Sequence, residues 1–295
     1  MDPHPRPNYS ARDDLARIVS VAPTQRRRDL TPEIASGYWR DVHGVSITAC
    51  GHLSVYFQHH LENDRGHLWP ILPGISSQIE DRYQLDGLAE FGWASVEDSA
   101  AFGSVFAERR LSSDEQNIFE SLVVQTSAEG QNKTLVDSLP DPYARGTEGH
   151  LRVFLAFRRA EGVTHEAFRV HLRDRFLPPL ADLPEVLRLR YTFVDDFMLG
   201  DWDSPNVDND IPVTEQYQAF IEVVVRDATA LNRVYTGEAF AGAAEGLSAA
   251  VRHVNAYRST ATYGFVFRKE PTLIGRYGVT RAALIEATGA TNMID

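Results

Sequence analysis

Imidazole and aromatic rings concentrate in one stretch of this chain, Thr31 to Glu62, where Trp39 and His43 stand four residues apart and His59 and His60 are adjacent. Histidine is the side chain that changes charge nearest neutral pH. Set in a dry pocket among aromatic rings, it can move a proton on a small apolar molecule, assistance worth ~10²- to 10⁴-fold in rate. The candidate acid-base residues are His43, His59, His60 and Tyr56, and the candidate substrate-binding rings are Tyr38, Trp39, Trp69 and Trp93. Enolisation, cyclisation, decarboxylation or dehydration of a phenolic or keto metabolite needs little more than this, and no cofactor. Two alternatives stand beside that lyase, isomerase or cyclase reading: a haem-binding oxygenase or peroxidase with a His axial ligand, and a non-catalytic binder of a small hydrophobic molecule. A metal site built from the three histidines lacks a carboxylate in a dependable position.

Each candidate has a structural counterpart. A His near a helix end can cap the last carbonyls and meet the dipole. Neighbours on a strand point to opposite faces, so only one of His59 and His60 can face a given cavity. Trp39 and Trp93 serve equally well as core, and Arg40-Asp41 reads as a solvated pair.

The elements that must position these residues follow from local pattern. Ala16 to Ala22 is a β-branched first strand. Thr31-Pro32-Glu33 begins a helix running to about His43: Thr caps, Pro is tolerated at the first position, and Glu meets the positive end of the dipole. Leu53 to Leu61 is the second strand, with Leu53, Val55, Phe57 and His59 on one face and Ser54, Tyr56, Gln58 and His60 on the other. The long connection Asn63 to Leu85, with His67, Trp69 and Pro70, reads as a lid. A strand at Gly87 to Ser95, a helix at Ser99 to Arg109, a capped turn at Leu111 to Glu115 and a strand at Ile118 to Gln125 complete a β-α-β-β-α-β unit.

The unit recurs. Thr164 to Asp196 echoes Thr31 to Glu62 at an offset of 164 − 31 = 133 residues, with Leu172, Phe176, Thr192 and Phe193 where the first copy has Trp39, His43, His59 and His60. One copy has kept imidazole where the other carries apolar or hydroxyl side chains, so Leu172, Phe176 and Phe193 are expected to fill the second cleft. Residues 1–126 are the first unit, polar 127–149 a linker, 150–270 the second unit, and 271–295 an extension with a strand-like Thr272 to Gly275 and a helix at Val279 to Ala287. The loop Leu199 to Thr214, with Asp201, Asp203, Asp208 and Asp210, lacks the spacing of an EF-hand and reads as a solvated acidic loop.

Composition narrows the partners. A formal charge of −12 and pI near 5.3 disfavour nucleic acid and anionic membrane surfaces. No apolar run approaches the ~20 residues of a membrane span, and MDPHPRPNYSARDD lacks the apolar core of a signal peptide. The single Cys50 allows no internal disulfide, which suits the cytoplasm.

Glu33, Trp39, Arg40, Asp41 and His43, after a first strand and before a turn and second strand, resemble the EthD-like group of the dimeric α+β barrel superfamily. The second copy follows the superfamily's spacing through Glu166, Phe168, Leu180, Leu183-Pro184 and Tyr191 without the His. The resemblance covers most of the chain and implies an α+β fold in which tandem ferredoxin-like repeats form an intrachain dimeric α+β barrel. It leaves open the pairing of two such pseudo-dimers into a homodimer. It implies a small hydrophobic ligand between helices and sheet. The superfamily hosts cyclases, decarboxylases, isomerases, haem enzymes and members without established activity, so fold does not decide function.

Overall fold

The computed structural model describes residues 8–63, 68–139, 143–198, 200, 202–290 and 292. The expectations placed on His67 and Asp201 therefore lie outside the described residues. In the first half, strands β1 (Ile18–Arg26), β2 (Val55–Asn63), β3 (Gly87–Trp93) and β4 (Phe119–Leu122) form an antiparallel sheet in the order β4-β1-β3-β2. Next come β5 (Gln125–Ser127), β6 (Asn132–Asp137) and β7 (Arg145–Gly146). The second half holds β8 (Leu151–Arg159), β9 (Val186–Phe193), β10 (Ala219–Val225) and β11 (Val251–Phe267), in the order β11-β8-β10-β9. Both halves are ferredoxin-like.

A single strand joins the halves. β11 is 17 residues long; it pairs with β8 over Val251 to Arg258 and with β2 over Tyr257 to Phe267. At the other end of the sheet, Asp195 N–H donates to the Thr126 carbonyl at 2.8 Å, and the Asn132 amide donates to the Arg17 carbonyl at 3.2 Å. The sheet thereby curls onto itself, and the chain is a dimeric α+β barrel made within one polypeptide.

The 133-residue offset holds element by element. Helix Pro32–Tyr38 corresponds to His165–His171 (165 − 32 = 133), and the wider turn Trp39–His43 to Leu172–Phe176 (172 − 39 = 133). Thr31 and Thr164 both cap, accepting from the Ile34 and Ala167 N–H groups. In both copies the helix holds one π-type turn, closed by Gly44 N–H onto the Trp39 carbonyl and by Leu177 N–H onto the Leu172 carbonyl. Strand register fixes the remaining equivalences: His60 opposes Gly87 as Phe193 opposes Ala219, and His59 opposes Leu88 as Thr192 opposes Phe220.

Residues 127–149 differ from the linker expected of their composition. β5 pairs with β1, β6 extends the sheet beside β9, and β7 pairs with β11. Polar residues and turns conceal a segment that contributes three short paired strands, because an edge strand needs no apolar period on its outer face. Thr272 to Gly275 is likewise not a strand. Thr272 caps helix Leu273–Tyr277, its hydroxyl accepting the Gly275 N–H at 3.1 Å.

The two long connections cross over. Residues 68–86, expected to cover the first half, carry Trp69 into the core of the second, against Phe157, Phe176, Tyr235 and Phe240. Leu172, Phe176 and Phe193 pack in that same core. After β9, Trp202 is set the opposite way, on the first half's core.

Gly87 has no room for a side chain, since a Cβ there would overlap the Trp39 ring. Gly87→Ala is expected to lose ~1–3 kcal/mol, the usual cost of overpacking a filled core, read as a lower denaturant midpoint with unchanged slope.

Candidate active site

A cavity of about 360 Å³ lies between the first half's sheet and its helices, at the lower end of the ~300–1,000 Å³ typical of small-molecule sites. The sheet contributes Tyr56, Phe91 and Trp93, the helical segment 32–48 contributes Trp39 and His43, and helix Val96–Glu108 contributes Phe102 and Phe106. Phe119 adds an edge, and Phe197 and Trp202 arrive on the crossing segment. The helices hold these rings through ordinary caps: Ser95 accepts the Asp98 N–H at 3.2 Å and so starts the second helix.

His43 is buried, and its Nδ1 lies 2.8 Å from Asp114 Oδ2. Asp114 also accepts from the Tyr38 hydroxyl at 2.6 Å and from the Asn117 amide at 3.0 Å. Partial burial pulls the Asp114 carboxyl upward, but the hydrogen bonds from His43, Tyr38 and Asn117 outweigh it and hold the pKa at about 2. A carboxylate fixed in this way accepts the Nδ1–H of the imidazole. The other ring nitrogen, Nε2, has no hydrogen-bond partner among the described residues, on a ring that lines the cavity. Tyr38 thus supports the dyad from behind, its own pKa pushed up to about 12 by burial and by its bond to Asp114.

Two further groups face the cavity. Tyr56 accepts from the Gln58 amide at 2.8 Å, which leaves its O–H free to donate; burial raises its pKa, so it stays protonated. Glu115 is buried, and its Oε2 accepts from Trp202 Nε1 at 2.9 Å and from the Ser204 hydroxyl. Burial raises its pKa, with His43, Ser204 and Trp202 opposing that shift, so the acid form is favoured beyond the ordinary carboxylate range. The short helix Ser112–Glu115 explains the division: consecutive helical residues diverge by ~100°, so Asp114 meets His43 while Glu115 meets the crossing segment.

Of the residues expected from sequence, His43, Tyr56, Trp39 and Trp93 meet at this cavity. Tyr38 stands behind it. His60 lies on the far side of Trp39, ring centroids 4.6 Å apart, with Nδ1 2.9 Å from the Ser36 hydroxyl; burial, with help from Arg40 and His59, pushes its pKa down to about 3. His59 points the other way, into the barrel, beside Thr262 and Phe154, and burial lowers its pKa. Trp69 is in the other half. Asp114, Glu115, Trp202 and Ser204 escaped sequence reading. The available signals were two adjacent acids in a one-turn helix and a lone Trp inside an acidic loop.

Among the described residues, no group of three or more His, Cys, Asp or Glu is placed to hold a metal ion, and no helix is long and apolar enough to cross a membrane. Haem does not fit the residues present. Glu115, Asp195 and Asp196 line the cavity, and no described Lys or Arg does, so propionates would have carboxylates for neighbours and no cation to pair with.

Fold and cavity together define the class: an intrachain dimeric α+β barrel with an aromatic-walled cavity in its first half, lined also by His43 and Glu115. No family model matches the chain, and no curated protein does. Among solved structures it is similar to a candidate monooxygenase from Fusobacterium nucleatum subsp. nucleatum, with 8% identity, TM-score 0.50, and coverage of 83% of this chain and 91% of that one. An anthrone oxidase-like protein follows at 15% identity and TM-score 0.48, covering 84% and 92%. Chlorite dismutase from Candidatus Nitrospira defluvii is at 10% and 0.38, covering 84% and 94%. At such identities the likeness concerns fold alone, and it rests on the first of these.

Proposed function

We propose that the chain is an enzyme that moves a proton on a small, enolisable aromatic molecule bound in the first-half cavity, as a cofactor-independent lyase, isomerase or cyclase of the EthD-like kind. The observation that carries this reading is the His43–Asp114 dyad, whose imidazole lines an aromatic-walled cavity. His43 Nε2 takes a proton from an acidic C–H or O–H of the ligand. The electron pair left behind moves onto the ligand's carbonyl or phenolic oxygen, where the Tyr56 O–H donates to it. Asp114 stabilises the imidazolium that forms, as an orienting carboxylate does in other His-based sites. The acid form of Glu115, which burial favours, returns a proton to the departing oxygen or to another carbon of the ligand, and the proton left on His43 then passes through solvent to the Glu115 carboxylate, which resets both groups. Protons balance and no redox partner is needed.

The test is solvent deuterium exchange into an enolisable aryl ketone followed by NMR. Wild-type enzyme is expected to catalyse the exchange and His43→Asn is not; equal exchange by both would remove the assignment. Oxygen uptake during the assay would move the reaction from proton transfer to oxygenation. Titration with haemin is expected to leave the broad Soret absorption of free haemin unshifted, and a shifted, sharpened band saturating at one equivalent would restore the haem alternative.

Ser204→Ala removes a donor to ionised Glu115, so the Glu115 pKa should rise and the acid form persist to higher pH. The limb of the pH–rate profile that Glu115 sets is expected to move up by about one unit, since a hydrogen bond to a charged group contributes ~1.5–3 kcal/mol and one unit is ~1.4 kcal/mol.

A further inference from the structure

The cavity is assembled from both halves, and the halves contribute different chemistry. His43, Tyr56 and Glu115 come from the first half. From the second half, the segment entering after β9 brings Asp195, Asp196, Phe197 and Trp202 to the cavity wall. Asp195 and Asp196 are the only residues of that set with a formal charge. Their basic partners stand behind them: Arg169 Nη2 lies 2.7 Å from Asp195 Oδ1, and His165 Nε2 lies 3.1 Å from Asp196 Oδ2. Neither Arg169 nor His165 lines the cavity, so a ligand meets the carboxylates first. Asp196 Oδ1 is buried and has no hydrogen-bond partner. Aromatic rings make up much of the remaining lining, and they offer a bound ring apolar contact and edge or stacking partners.

We infer that Asp195 and Asp196, with Phe197 and Trp202, make this site selective for uncharged or cationic aromatic ligands and exclude aromatic carboxylates. The inference rests on the proposed reading that the first-half cavity is the ligand site. An uncharged ring gains burial and ring contacts. An amine substituent gains, in addition, a carboxylate partner at Asp195 or Asp196. A carboxylate substituent must shed its water among rings and like charges, with no described Lys or Arg to receive it. The second half, whose own core is filled by Trp69, Phe176 and Phe193, thus acts on specificity rather than on proton transfer.

Binding of naphthol, aminomethylnaphthalene and naphthoate, measured by titration calorimetry on the full chain, separates the cases because the ring is constant and the charge changes. Naphthol and aminomethylnaphthalene are expected to bind, with naphthoate at least tenfold weaker than either. Naphthoate binding as tightly as naphthol, or no binding by any of the three, would overturn the inference. In Asp195→Asn/Asp196→Asn, where Arg169 and His165 lose their counter-charges, the naphthoate penalty is expected to shrink at least fivefold; an unchanged penalty would also overturn it. If that variant does not fold, salt gives the same reading on the wild type. Between ~0.01 and 1 M salt the screening length falls from ~30 to ~3 Å, and the naphthoate penalty should narrow, while a salt-independent penalty would count against charge as its cause. These titrations involve no turnover. Loss of the binding order with His43-dependent exchange intact would sink only the selectivity. The binding order surviving while exchange ignores His43 would sink only the proposed chemistry.

Discussion

His43→Asn is expected to lower turnover by ~10²- to 10⁴-fold while leaving ligand binding within a few-fold of wild type. Asparagine keeps the polarity and part of the volume but offers no basic nitrogen to the cavity, so the loss isolates general base catalysis. Asp114→Asn should reproduce most of the effect without touching the ligand. An amide at that position can donate to Nδ1, which would leave the proton on Nε2 and turn the wrong nitrogen to the cavity. It also removes the anion that stabilises the imidazolium. The two losses should not add: the double variant is expected to be no slower than the worse single one within a few-fold, because the residues act as one unit. Additive losses in single-turnover measurements would mean that Asp114 acts on its own and that the dyad is only a packing contact. Tyr38→Phe, which deletes one of the hydrogen bonds to Asp114, should cost far less, since the His43 and Asn117 bonds remain.

The repeat made the fold legible. A Thr cap, a helix and a strand recurring at 133 residues required two ferredoxin-like units, and the register of β2 and β9 places His60 with Phe193 as the aligned sequence did. Strand alternation also foretold the faces correctly, with Tyr56, Gln58 and His60 toward the helices and Phe57 and His59 toward the barrel. What local pattern could not carry was the crossing of the two connections. Trp69 next to Pro70 reads as a lid, but nothing in a single segment says which half it covers, because that depends on how β2 and β11 join the units. The same topology hid Trp202 and Ser204, which lie 87 and 89 residues from Glu115 in sequence. The partnership of His43 with Asp114 was equally invisible, being a contact across 71 residues between a helix turn and a one-turn helix, neither of which is periodic enough to fix its orientation. Residues 127–149 were misread for the opposite reason: their composition is that of a loop, and backbone pairing, which composition does not report, decides their structure.

The largest stability effect should come from the barrel interior. Glu90 on β3 forms a buried ion pair with Arg190 on β9, and since those strands are not neighbours in the sheet the pair spans the barrel. In the second half the residue equivalent to Glu90 is Glu222, for Phe57 opposes Glu90 as Arg190 opposes Glu222. Glu222 is held by Arg152 and by Arg188 at 3.3 Å. The two carboxylates thus occupy equivalent positions, but Glu222 pairs within its own half while Glu90 ties one half to the other. Arg190→Met leaves the Glu90 carboxyl buried without its cation, and removing one member of such a pair costs ~3–5 kcal/mol. Glu90→Leu/Arg190→Met should recover most of that loss, because the pair's desolvation cost disappears with both charges. A double variant as unstable as the single one would mean that cavity formation, not the stranded charge, is responsible. The pH dependence gives a second handle. Burial raises the Glu90 pKa but Arg190 and His59 outweigh it, so the folded value lies below the ordinary one. Its contribution is present above the ordinary carboxylate range and is lost as pH falls toward the folded value. Buried His59 and His60, both with lowered pKa, act in the same direction from a higher starting point: below the ordinary imidazole value of ~6.5 the unfolded chain takes up protons that the folded chain refuses. Wild-type stability should thus decline in two stages on acidification, first through the histidines and then through Glu90 and Asp114. In Arg190→Met the second stage should shrink to the part Asp114 contributes, because a Glu90 without its cation is better protonated than ionised. Urea titrations at stepped pH would register the difference, and an unchanged second stage in the variant would show that Glu90 is not the group that titrates.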